Sequence, residues 1–92
     1  MAVTTRIPTP LRKLTGGLDA VQVAAGTIGD VIDALEAKNP GIRERIVNED
    51  GKLHRFVNIY VNGEDIRFTS GLNTAVKDGD EVSIVPAVAG GR

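Results

Sequence analysis

The chain has no cysteine, no tryptophan, one histidine, one tyrosine and two phenylalanines among its 92 residues. Without cysteine there is no disulfide, no thiolate nucleophile and no sulfur ligand for a metal, which suits a reducing compartment. So few aromatics make the core aliphatic, built from Val, Ile, Leu and Ala. A formal net charge of −1 leaves no surplus of Lys and Arg for phosphate binding, so no nucleic-acid partner is expected. No uninterrupted apolar run approaches the roughly 20 residues of a membrane helix. The start, Met1 to Arg6, lacks the apolar centre of a signal peptide. No membrane association is expected, and the expected compartment is cytoplasmic.

What is present suits one small folded domain. Hydrophobic residues make up 41% of the chain and charged residues of both signs 25%, a balance that argues against disorder. A chain of this length buries about 60 to 65% of its unfolded surface, enough for a single core.

Val3, Thr5 and Ile7 alternate with Thr4 and Arg6 as in a half-buried strand that Pro8 and Pro10 end. Leu11 to Gly17 reads as a turn, and Leu18 to Val23 as the returning strand of a hairpin. Thr27 with Asp30 three residues on is a short capping box, so a helix begins at Ile28. Ile28, Val31, Ile32 and Leu35 fall on one buried stripe, and Asn39-Pro40-Gly41 stops it. Ile42 and Ile46 bracket a further helical turn, and Asn48 to Gly51 is a polar turn. The strand signal is strongest at Arg55 to Val61, with Val57, Ile59 and Val61 facing the core. Asn62-Gly63 is a two-residue hairpin turn, which sends Glu64 to Phe68 back antiparallel. Lys77 to Asp80 turns into a last strand, Glu81 to Val85, burying Val82 and Ile84.

Hairpin, helix and further strands predict an α+β fold, a mixed sheet of β-grasp type with one main helix across one face. It spans residues 1–86, with residues 87–92 a flexible C-terminal tail. Gly90 and Gly91 lack Cβ atoms, so this tail can pass through a narrow channel in another protein.

Side-chain chemistry offers little. His54 is the only histidine, and no zinc ligand set accompanies it. The acid pairs Glu49-Asp50, Glu64-Asp65 and Asp80-Glu81 lie in or beside turns, where solvated carboxylates are ordinary. Ser70 and Ser83 have no histidine at a suggestive spacing. Arg12, Lys13, Arg43, Arg45, Arg55 and Arg67 read as a solubilising scatter. Phe56 and Tyr60 lie on the strand face away from Val57 and Ile59, either as a partner surface or as a second buried layer. In the first case Val85 and Val88 extend that surface toward the tail.

Three segments carry a resemblance: Ile7-Pro8-Thr9, the run Lys52 to Asn62, and Ile84 through Gly91. Together the chain resembles the ubiquitin-like sulfur-carrier family that includes the molybdopterin-synthase small subunit and the thiamine-pathway carrier, in particular its CysO-type branch. The resemblance implies a carrier and not an enzyme, with no catalytic residue, no metal site and no bound cofactor of its own. It implies that an adenylyltransferase of the ubiquitin-activating type uses ATP and magnesium to adenylate the Gly91 carboxylate. A sulfur donor then displaces AMP, leaving a thiocarboxylate at Gly91 with Ala89 and Gly90 as its stem. In this branch the implied partners are a pyridoxal-phosphate-dependent cysteine synthase and a zinc peptidase that cuts after the glycine. Arg92 departs from the pattern, because it turns the Gly91 carboxylate into an amide. A precursor end removed by a peptidase, a residue of artificial origin, and a carrier diverted from sulfur chemistry would each account for it; the first is the expectation. Molybdopterin or thiamine-type synthesis, conjugation to target lysines, and a plain interaction module are the other functions left open.

Overall fold

The computed structural model describes residues 2–55 and 57–86. Its principal sheet has five strands in the order β2-β1-β7-β4-β5. These are β1 (Val3–Arg6), β2 (Ala20–Val23), β4 (Val57–Val61), β5 (Glu64–Asp65) and β7 (Glu81–Pro86). The central strand, β7, runs parallel to β1 and antiparallel to β4. This is the β-grasp arrangement expected, with the helix α1 (Ile28–Lys38) across one face.

Local signals account for most of these elements. Thr27 accepts a hydrogen bond from the Asp30 amide and the Asp30 carboxylate accepts one from the Thr27 amide, so the capping box is closed. Ile28, Val31, Ile32 and Leu35 are buried and join Val3, Val21, Val23, Ile59, Val82 and Ile84 of the sheet in one core. A short helix, α2 (Arg43–Ile46), adds Ile42 and Ile46. Glu36 ties it to α1 by accepting from the amides of Arg43 and Gly41, bonds that, in that order, hold its carboxyl below the usual glutamate range. Thr5, on the inward face, is fully buried, and its hydroxyl has no hydrogen-bond partner among the described residues.

Three expectations need correction. The turn expected at Leu11 to Gly17 is a 3-10 helix, Thr9–Thr15, ending on left-handed Gly16. Pro10 in its first turn presets the backbone, and buried Thr15 closes it by donating to Arg12 O and Leu18 O. The strand expected over Glu64 to Phe68 lasts only to Asp65. The Asp65 carboxylate accepts from the Arg67 amide at 2.8 Å, closing a 3-10 turn, Ile66–Phe68, in place of a strand ladder. Ile66 is thereby buried, while Phe68 is left 84% exposed. A two-stranded sheet of β3 (Gly26–Thr27) and β6 (Ala75–Val76) was not expected; it pairs the entry to α1 with the approach to β7.

Candidate functional site

The strand that leads to the tail is held differently at its two ends. At its start, Glu81, Val82 and Ser83 pair with Thr4, Thr5 and Arg6 on one side, and Val61 and Tyr60 face Val82 and Ser83 on the other. The preceding turn is tied to β1 as well, through Thr4 N to Asp80 O at 3.1 Å and Gly79 N to Ala2 O at 3.0 Å. Asn62, at φ 51° in the left-handed region, spans both turns. Its side chain donates to Asp80 Oδ1 at 3.0 Å and accepts from Glu81 N at 2.9 Å. Asp80 also accepts from Lys77 N at 2.8 Å. That bond first, then the one from Asn62, holds the Asp80 carboxyl below the ordinary aspartate range.

The outward face of the sheet carries a polar row beside this strand. The Arg6 guanidinium pairs with Glu81, and their hydrogen bond and charge raise the Arg6 pKa further. Gln22 donates to Thr4 Oγ1 at 2.9 Å. Tyr60, half-buried, lies opposite Ser83, and Asn58 opposite Val85.

Beyond Ser83 the β1 partner is gone, because Pro8 lacks a backbone N–H and turns the chain into the 3-10 helix. An open groove of about 480 Å³ runs there, lined by Arg6, Pro8, Thr9, Arg12 and Val85. Arg12 Nε donates to Ile7 O at 3.0 Å on its wall. Ile84, Val85 and Pro86 keep their pairing with β4 alone, and Val85 is 41% exposed.

Of the residues singled out from the sequence, Tyr60 and Val85 are brought to this outward face, on adjoining strands. Tyr60 is not under a second buried layer, since its residue remains partly open. Phe56, Val88, Ala89, Gly90, Gly91 and Arg92 lie outside the described residues. Two of the three acid pairs hold more than solvated ends, for Asp65 caps a turn, Asp80 braces one and Glu81 pairs with Arg6. His54 sits in a loop with Nε2 at 3.0 Å from Glu44 O, and Arg43 pairs with Asp33 at 3.2 Å. Among the described residues no group of three or more His, Asp or Glu is placed to hold a metal, and no helix is long and apolar enough to cross a membrane.

One feature went unread in the sequence. Arg67 places its guanidinium on the side chain of Asn58, on Val57 O at 2.8 Å and on His54 O at 3.3 Å. Its signal was a lone arginine two residues after a turn-forming aspartate.

A family model described as the ThiS family matches residues 5–91. The sulfur carrier protein CysO of Mycobacterium tuberculosis is 58% identical over 93 residues, spanning 99% of this chain and 100% of that protein. The small archaeal modifier protein 3 of Haloferax volcanii is 45% identical over 65 residues, 71% of this chain and 70% of that one. The crystal structure of the BexX/CysO complex of Amycolatopsis orientalis matches with a TM-score of 0.92 and 53% identity, over 97% of this chain and 99% of that chain.

Proposed function

The chain belongs to the ThiS family, and from that premise we propose that it carries sulfur on its own backbone terminus for cysteine biosynthesis. It is a sulfur carrier and not an enzyme. The observation that carries this reading is the 58% identity to CysO across almost the whole chain.

The chemistry sits at Gly91. A carboxylate is a poor electrophile until one oxygen joins a good leaving group, so a partner of the ubiquitin-activating type first transfers AMP from ATP to it, with magnesium, releasing pyrophosphate. A sulfur nucleophile then displaces AMP and leaves a thiocarboxylate. Arg92, where present, must be removed by a peptidase, because an amide at Gly91 offers no free carboxylate. The carrier's contribution is positional. A docked domain raises the effective concentration of a short stem in the partner's site, and the outward face with Tyr60 and Val85 supplies the surface. A pyridoxal-phosphate-dependent synthase consuming the thiocarboxylate and a zinc peptidase releasing the product complete the partners, in the cytoplasm.

Intact-mass measurement tests this. Chain ending at Gly91, mixed with activating enzyme, ATP, magnesium and a sulfur donor, should exchange one terminal oxygen for sulfur. If chain retaining Arg92 accepts sulfur as readily, the reactive group is not the Gly91 carboxylate. The likeness to a small archaeal modifier protein favours conjugation to lysines as a second reading. Conjugates that survive reducing denaturation would reveal it.

A further inference from the structure

The start of β4 is held by a side chain that stands in for a missing strand. Asn62 N donates to Glu81 O at 2.8 Å, and in an antiparallel ladder hydrogen-bonded and non-hydrogen-bonded pairs alternate. Along the register, Asn58 and Val85 therefore form a hydrogen-bonded pair, whereas Val57 faces Pro86 across a non-hydrogen-bonded one. Pro86, which has no N–H, thus interrupts no bond to β4. The polar groups of Val57 point the other way, to the side on which β5 would continue.

β5 does not continue, because Asp65 closes the turn that follows it. Arg67, two residues on, reaches back to that vacant edge. Nη2 donates to Val57 O at 2.8 Å and to His54 O at 3.3 Å, while Nη1 donates to Asn58 Oδ1. His54 O also accepts from Val57 N at 3.1 Å, so one planar fork grips both ends of the turn that starts β4. A guanidinium can do this and an ammonium cannot, since only the former presents several donors in fixed directions.

We propose that Arg67 is a positioning residue for sulfur loading, whose fork on His54, Val57 and Asn58 fixes the start of β4 and, through the pairing of Val57 with Pro86, the end of β7 that precedes the reactive residues in the chain. The link to sulfur rests on the carrier reading above; the clamp itself does not. Among the described residues its guanidinium bonds His54, Val57 and Asn58, so it acts through the start of β4.

The test compares the wild-type chain with R67A, R67K and N58A by amide hydrogen exchange, and the same chains ending at Gly91 by adenylation kinetics. In R67A the Asn58 and Val85 amides should exchange about tenfold faster relative to those of Thr5 and Val21, through local opening. The kcat for adenylation should fall about tenfold with KM for the carrier unchanged, as expected for a misplaced reacting group. R67K, which keeps the charge without the fork, should resemble R67A, and N58A should move both readouts less in the same direction. A uniform rise in exchange would make Arg67 a general stabiliser and overturn the proposal. So would a change confined to KM, which would place Arg67 in contact with the activating enzyme, or wild-type behaviour of R67K. Should the wild-type chain itself take no AMP, the carrier reading fails while the exchange data still decide the clamp.

Discussion

The two ends of β7 do opposite jobs with the same backbone. Its first three residues pair with β1, two of them with β4 as well, and are braced by Asn62, Asp80 and the Arg6–Glu81 ion pair. Its last three are paired on one side only, beside the groove that Pro8 opens. A strand paired on both sides is held more firmly than one that has shed a neighbour, so a single element can act as foundation at one end and outlet at the other.

Four perturbations bear on this contrast. Removing Gly90 and Gly91 has the largest expected effect, a complete loss of sulfur loading in the mass assay, with the thermal midpoint unchanged. A fall in that midpoint would show that the outlet also holds up the foundation. Ile59→Ala removes a side chain buried to 1% exposure opposite Ile84. It should cost about 2 to 5 kcal/mol in urea unfolding, while molecules that remain folded still accept sulfur. Loss of loading from fully folded protein would instead couple the core directly to the tail.

Thr5→Val probes the anchored end from the other direction, because it replaces a buried hydroxyl that has no partner among the described residues. Stability should rise by about 1 kcal/mol, the relief of an unsatisfied polar group, and unchanged or lower stability would mean that the hydroxyl is satisfied. Asp80→Asn is the smallest. The folded carboxyl titrates below the ordinary value of 3.8, held there by Lys77 N and Asn62. Its stabilisation is therefore complete above the unfolded value and is lost as pH falls through the lower, folded one. The variant should flatten the acid limb of the unfolding midpoint against pH below about 4, and an unaltered limb would show that other carboxylates govern acid sensitivity.

The helix and the Asn62-Gly63 hairpin were legible because each is specified within a few residues. Thr27 and Asp30 close a local box, four aliphatics recur at helical spacing, and Asn62 adopts the positive φ that a tight turn demands. Glu64 to Phe68 misled for an equally local reason. Apolar and polar residues alternate there, but one Asp65 side chain outcompetes the strand ladder for the Arg67 amide. The paired dipeptides Gly26-Thr27 and Ala75-Val76 are too short to carry any period. Of the site, Tyr60 and Val85 could be placed on one face from alternation alone. The clamp by Arg67 could not, since it joins residues 9 to 13 positions apart through a side chain whose direction no periodicity encodes.

By itself the sequence determined the main helix, the principal strands, the aliphatic core and a Gly-Gly pair ahead of Arg92, because capping, alternation and turn geometry act over three or four neighbours. Only the tertiary structure decided which strand stands at the centre, where β1 deserts it, and which arginine grips the start of β4. Those outcomes depend on residues far apart in the chain competing for the same backbone groups, and that competition has no solution until the sheet has formed.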